Sequence, residues 1–177
     1  MLLVQPPVRI AASFAEIVGE HQAMVYSIGW HFLRDRAGAE EVAQDVFLQL
    51  YRNLDTIESP SHLTNWLRTV MTRACIDRQR RARLRPRLGL ADIREPAAAE
   101  HPVDPILAGR LEELVAQLPE RSRMIVILRF QEDLDPAEIA EILEIPVGTV
   151  KSNLHRSLAL LRGKLERARR RSMGAVR

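Results

Sequence analysis

The sequence contains a single cysteine, Cys75, in 177 residues, which excludes an intramolecular disulfide and any multi-cysteine zinc site. Aromatic residues make up only 5% of the chain and strand-like alternation is scarce, which argues against a β fold. The longest uninterrupted apolar run, Met124 to Leu128, falls far short of the roughly 20 residues of a membrane helix, so no membrane contact is expected. No basic, apolar and small-residue leader opens the chain at Met1, and with the lone thiol this sets the expectation of a reduced, cytoplasmic location. The pair Glu40 and Glu41 and the histidines His21, His31, His62, His101 and His155 show neither metal-ligand nor acid–base spacing. There is no glycine-rich phosphate loop. No catalytic residue, metal or cofactor is expected.

What the chain does contain is apolar material for packed cores, at 46% hydrophobic residues, and an uneven distribution of charge. The formal net charge is only +3. By segment, residues 1–60 carry 4 Lys/Arg against 8 Asp/Glu, and residues 61–94 carry 9 against 2. Residues 95–150 carry 4 against 12, and residues 151–177 carry 9 against 1. Two basic blocks separated by an acidic one point to two separate contacts with a polyanion.

The periodicity predicts an all-α protein. Phe14, Ile17, Val18, Met24, Val25 and Ile28 recur at three- and four-residue steps after Ser13, a suitable N-cap, and the stretch Asp35 to Gly38 is expected to break that helix. A second helix, from about Ala39 to Leu54, puts Val42, Val46, Leu50 and Leu54 on one stripe and leaves Glu40, Glu41, Gln44, Asp45 and Gln49 outside. Ser59 and Pro60 suit the start of a third helix, which runs past Asp77 into Arg78, Arg80 and Arg81. Between Arg83 and Pro105, five prolines and glycines and a run of alanines interrupt any helical period and mark a linker. Beyond it, Leu107, Leu111, Leu114, Val115 and Leu118 form a further stripe ended by Pro119, which starts the helix bearing Met124 to Leu128. The domains expected are therefore 1–85 and 106–177, joined by a linker at 86–105.

The sharpest local signal is a helix-turn-helix from Leu134 to about Leu165. Asp135 is an N-cap, Pro136 takes the first helical position, and Glu138 completes a capping box. After the break at Pro146, Val150, Leu154, Leu158, Leu161 and Leu165 form the stripe expected to be buried. Ser152, His155, Arg156 and Ala159 then project from the other side with Lys151 at the edge, a set of cationic and hydrogen-bonding groups suited to a DNA major groove. Gly148 and Thr149 let backbone N–H groups approach a phosphate. A merely solvated amphipathic helix gives the same polar face, and the capped helix and tight turn before it favour DNA.

The wording Pro146-Val147-Gly148-Thr149-Val150-Lys151-Ser152 with Leu154-His155-Arg156 resembles region 4 of the extracytoplasmic-function group of sigma-70 family sigma factors, and Leu118 to Arg121 with Arg123 resembles its start. Ala39 to Leu48 is similar to the acidic helix with which region 2 grips the polymerase clamp. Trp66-Leu67, and Asp77 leading into Arg80 and Arg81, resemble the segment of region 2 that melts and reads the −10 element. The resemblance implies a region 2 helix bundle and a region 4 helix-turn-helix, with core RNA polymerase, promoter DNA and an anti-sigma factor as partners. Carried over residue by residue, it assigns Glu40, Glu41, Gln44, Asp45, Phe47 and Leu48 to core polymerase and Arg68, Arg73, Arg78, Arg80 and Arg81 to the −10 element. It assigns Thr149, Lys151, Ser152, His155 and Arg156 to the −35 element, and the loop Ile57 to Leu63 to an unpaired base. Phe47 and Leu48 fit core packing as well as a partner contact, and Trp66 fits a core position as well as a base stack. The chain departs from the family pattern at Arg73, where the group commonly has Asn, which shifts the chemistry from amide pairing towards phosphate or guanine contact. A helix-turn-helix regulator that works without polymerase is the alternative to a sigma factor.

Overall fold

The computed structural model describes residues 13–84 and 105–174. All regular structure among them is helical, and they fall into two compact units, one up to residue 84 and one from residue 105. The linker expected at 86–105 lies outside the described residues except at Pro105, which opens a helix. No described helix is long and apolar enough to cross a membrane.

The first unit is built from α1 (Phe14–Leu33), α2 (Arg36–Asn53) with a 3-10 turn after it (Leu54–Thr56), and α3 (Pro60–Leu84). Ser13 starts α1 as a capping box: its Oγ accepts from the Glu16 N–H at 3.3 Å and Glu16 Oε2 accepts from the Ser13 N–H at 2.7 Å. The break after α1 lies earlier than the glycine suggested. Arg34 takes a left-handed conformation (φ 58°), its N–H donates to the Trp30 carbonyl at 2.9 Å, and its guanidinium lies over the Trp30 ring at 5.5 Å. Gly38 is therefore not a breaker; it is a buried residue in the first turn of α2. Ile17, Val25, Ile28 and Phe32 of α1 pack with Val42, Val46 and Leu50 of α2 and Leu63, Leu67, Met71 and Cys75 of α3, all of them buried. Leu54, expected on the same stripe, is only half-buried, because α2 ends one residue earlier. Burial pushes the Cys75 thiol up to about 12, against a smaller opposing effect of Arg78, so it stays protonated and serves as packing.

The second unit comprises α4 (Pro105–Ala116), α5 (Glu120–Phe130), α6 (Pro136–Leu143) and α7 (Val147–Gly174). Its centre is Met124 to Leu128, five consecutive buried residues that are met from different sides by α4, α6 and α7. Arg123 is buried beside them, and its Nη2 donates to the carbonyls of Ala116 and, at 3.3 Å, Leu118. A cation thus closes the carboxyl end of α4, where unpaired carbonyls and the helix dipole both favour it. Pro119 occupies the N-cap of α5, one place before the helix it was expected to start.

In α7 the buried stripe is shifted from the expected one. Val150 and Leu161 are buried and Leu154 and Leu165 half-buried, but Leu158 is 40% exposed and Ser157 is buried in its place. At about 100° per residue Ser157 falls some 20° to one side of Val150 and Leu158 about 80° to the other, so the seam is centred nearer the serine. Leu111, expected on the α4 stripe, is likewise 40% exposed.

The turn into α6 holds its capping box as the spacing predicts: Asp135 Oδ1 accepts from the N–H of Ala137 at 2.6 Å and of Glu138 at 2.9 Å, and Glu138 Oε2 accepts from the Asp135 N–H at 2.7 Å. The Glu138 and Ala137 N–H groups hold the Asp135 carboxyl below its ordinary range. A carboxyl depressed in the folded state stabilises above its unfolded pKa, and that stabilisation is lost as pH falls through the folded value. Asp135→Ala is expected to lower the thermal midpoint at pH 7, with the gap to the unsubstituted chain closing as pH drops from about 5 towards 3. Melts followed by circular dichroism across that range check it; a gap of constant size contradicts the cap.

Candidate functional site

Three helix faces carry the residues of interest. On α2, the buried stripe of Val42, Val46 and Leu50 leaves an outer face with Glu40, Glu41, Gln44, Asp45 and Leu48 exposed and Phe47 half-buried. The face changes character along its length, with carboxylates in the first half and apolar groups in the second. Tyr51, which the sequence reading missed, extends the apolar part: it is 64% exposed and its ring meets Phe14 of α1 edge to face, centroids 5.2 Å apart. A tyrosine one turn beyond Phe47 and Leu48 on an otherwise polar face is the signal that could have found it. Two of the carboxylates are engaged within the unit. Glu40 accepts from Arg36 Nε at 3.1 Å, and Glu41 accepts from Arg78 Nη1 of α3 at 2.7 Å.

The five α3 arginines assigned together by sequence do not share a face. Leu63, Leu67, Met71, Cys75 and Thr72 cover an arc of about 180°, and both Arg68 and Arg78 fall within that arc, half-buried. Arg73 and Arg80 point the other way, on the exposed side with Thr69 and the half-buried Trp66. Arg81 is exposed on the final turns, beyond the last buried residue, Cys75. Arg80 Nη1 stands 3.9 Å from Asp77 Oδ1, a solvent-exposed pair of little strength.

The loop before α3 is shorter than the expected Ile57 to Leu63, because Pro60 already begins the helix and both Ile57 and Leu63 are buried. Ser59 Oγ accepts from the His62 N–H at 3.1 Å and stands 3.1 Å from Ser61 Oγ, while the Glu58 N–H donates to His62 Nδ1 at 3.3 Å. Exposed Glu58, Pro60, Ser61 and His62 surround this hydrogen-bonded corner.

On α7, Lys151, Ser152, His155, Arg156 and Ala159 are exposed together, opposite the seam formed by Val150, Ser157 and Leu161. Arg156 Nε donates to the Ser152 carbonyl at 3.2 Å, which draws the head of the side chain along the helix. Thr149 is half-buried, and its carbonyl accepts from Ser152 Oγ at 3.0 Å and Asn153 Nδ2 at 2.8 Å. The other end of the Asn153 amide accepts from Ser122 Oγ of α5 at 3.1 Å. This partly buried tie fixes the rotation of α7 about its axis, and so the direction of its exposed face. Sequence reading missed it, because a polar residue at the edge of an apolar stripe does not disclose a partner 31 positions away.

Two family models match the chain: Sigma-70 region 2 over residues 17–85 and Sigma-70, region 4 over residues 108–161. The chain is 30% identical over 166 residues to the ECF RNA polymerase sigma factor SigW of Bacillus subtilis, covering 86% of this chain and 89% of that one. It is 28% identical over 151 residues to RNA polymerase sigma factor SigV of the same organism, covering 84% of this chain and 88% of that one. Among solved structures, the sigma factor RpoE in complex with the anti-sigma factor NepR, from Bartonella quintana, shares the fold, with a TM-score of 0.71 at 19% identity, covering 86% of this chain and 96% of that one.

The tie between α5 and α7 has a direct test. Asn153→Leu is expected to keep the helical content and to cost about 1–2 kcal/mol of stability, since it removes the bonds to both Ser122 and the Thr149 carbonyl. Ser122→Ala added to it costs little more, since the bond it removes is already lost. Thermal melts of the two single variants and the double variant check this; additive losses refute the tie.

Proposed function

The chain belongs to the extracytoplasmic-function group of the sigma-70 family, and on that premise we propose that it works as a two-point promoter reader carried by core RNA polymerase. It is a sigma factor: it joins core polymerase and directs initiation to particular promoters. The observation that carries this reading is the presence, in one chain and in this order, of a region 2 unit and a region 4 unit, each with an exposed charged face.

The outer face of α2 suits the polymerase contact. Asp45 and Gln44 offer charge and hydrogen bonding to a basic partner, while Phe47, Leu48 and Tyr51 offer apolar area that a partner can desolvate. On α3, exposed Arg73, Arg80 and Arg81 suit phosphates of the −10 strands, and the half-buried Trp66 lies on the same side of the helix. The polar corner of Glu58 to His62 suits an unpaired base. On α7, Lys151, Ser152, His155 and Arg156 take the −35 major groove, with Thr149 at the helix start near the backbone. These roles require no catalytic group, metal or cofactor, and they suit a protein that works with polymerase in the bacterial cytoplasm. An anti-sigma factor, such as the one bound to Bartonella RpoE, would act by covering the same faces.

Run-off transcription with core polymerase and a randomised promoter library tests the reading. Addition of the chain is expected to produce starts at a restricted set of sequences. Duplex binding with no promoter-specific start would instead favour a helix-turn-helix regulator independent of polymerase. On a promoter so selected, Arg156→Ala is expected to reduce −35-dependent initiation about tenfold, with core binding unchanged. Asp45→Arg should reduce co-purification with core polymerase; undiminished association moves the polymerase contact off this face.

A further inference from the structure

Arg78 stands apart from the other α3 arginines. Its Nη1 lies 2.7 Å from Glu41 Oε2, and its Nη2 lies 3.9 Å from Oδ2 of Asp35, the residue preceding α2. Beneath both is Gly38: a Cβ at that position would meet Asp35 Oδ2 first, and would stand 2.9 Å from Arg78 Nε and 3.1 Å from Nη2. The guanidinium is thus laid against bare backbone of α2, between two carboxylates. The planar fork suits this seat, whereas the ammonium of a lysine is a single point that cannot span both acids. Arg78 also stands where α3 leaves the core. Cys75 is the last buried residue of the helix, and from Ile76 to Leu84 none is buried, so apolar packing does not set the course of the segment that carries Arg80 and Arg81.

We propose that Arg78 is a positioning residue and not a DNA contact: seated over Gly38 between Glu41 and Asp35, it fastens the basic end of α3 to the polymerase-binding helix. The inference rests on the sigma-factor reading above and deepens it. Polymerase that grips α2 thereby sets where Arg80 and Arg81 meet the −10 strands, and one contact couples the two sites. Exposed ion pairs contribute little to stability, so the consequence of this one lies in direction more than in fold.

The test uses the full chain, core polymerase and a promoter recovered from the randomised library, with open complexes read by the fluorescence of a base analogue placed in the −10 element. Gly38→Ala removes no charge from either face, and a Cβ there displaces both the Asp35 carboxylate and the guanidinium, which opens the seat. Its affinity for core polymerase is expected to stay within about twofold of the unsubstituted chain and its thermal midpoint not to fall, while open-complex formation drops by about threefold to thirtyfold, the usual span of such coupling. Arg78→Gln is expected to show the same defect, and the double variant to be no worse than Arg78→Gln alone. Arg78→Lys provides a second arm should Gly38→Ala disturb folding. It keeps a cation for a phosphate but loses the seat, and is expected to be as defective as Arg78→Gln. Full open-complex formation by Arg78→Lys, additive defects in the double variant, or a soundly folded Gly38→Ala chain that opens DNA normally each overturn the proposal. Failure of the unsubstituted chain to bind core polymerase overturns the sigma-factor reading instead, so the two failures are distinguishable.

Discussion

Among the described helices all but α5, which is buried on several sides, turn one apolar side to a core and leave the other outside. That constraint sets everything else. Ile17, Val25, Ile28 and Phe32 of α1 meet the stripes of α2 and α3 and complete the core of the first unit, so the opposite sides of α2 and α3, including the apolar Leu48 and Tyr51, are left to solvent and to partners. The same holds for α7, whose seam of Val150, Ser157 and Leu161 turns Lys151, His155 and Arg156 outwards. The functional faces are the complement of the core, and any change that rotates a helix about its stripe misdirects a face before it unfolds a domain.

Where apolar packing runs out, polar ties take over the task of orientation. Arg123 closes the end of α4 from within the second unit, Asn153 pins α7 to Ser122, and Arg78 joins α3 to α2. The three differ in environment. Arg123 is buried, so its bonds are made in a medium where an unpaired partner is costly and its loss would be felt in stability. Arg78 is open to water on one side, so its bonds contribute mostly geometry. The division fits their neighbours: Arg123 sits against a core, and Arg78 precedes the turns that leave one.

How much of this could be read from the sequence depends on the range of each interaction. The capping boxes at Ser13 with Glu16 and at Asp135 with Glu138 are local patterns of four residues, and both are present as the spacing required. The all-helical class and most stripes are similarly encoded in short periods. Gly38 misled because glycine commonly ends helices, while the actual stop is Arg34, an arginine at positive φ, a conformation that its residue type does not advertise. Leu158 misled because periodicity gives the width of a stripe but not its centre, which a buried serine displaced. The grouping of five arginines on α3 came from the family resemblance, which places a segment on a site but not each side chain on a face. Helical angle alone separates Arg73 and Arg80 from Arg68 and Arg78, and the partner of Arg78, 37 residues away, has no sequence signature.

The charge pattern acquires a mechanical meaning in this setting. The net +3 conceals basic blocks at 61–94 and 151–177 that hold the helices proposed to face DNA, and the proposed contacts on each involve only a few cations. A handful of phosphate contacts at physiological salt gives weak, salt-sensitive binding, so neither unit alone selects a promoter. Tethering both to one polymerase replaces the second encounter with an intramolecular one, and selectivity then depends on whether two DNA elements fall at the separation the tether permits. On this logic weakness of each contact is a requirement. A unit that bound tightly by itself would hold the chain on DNA without polymerase, and the acidic face of α2, repelled by the same phosphates, works against that outcome.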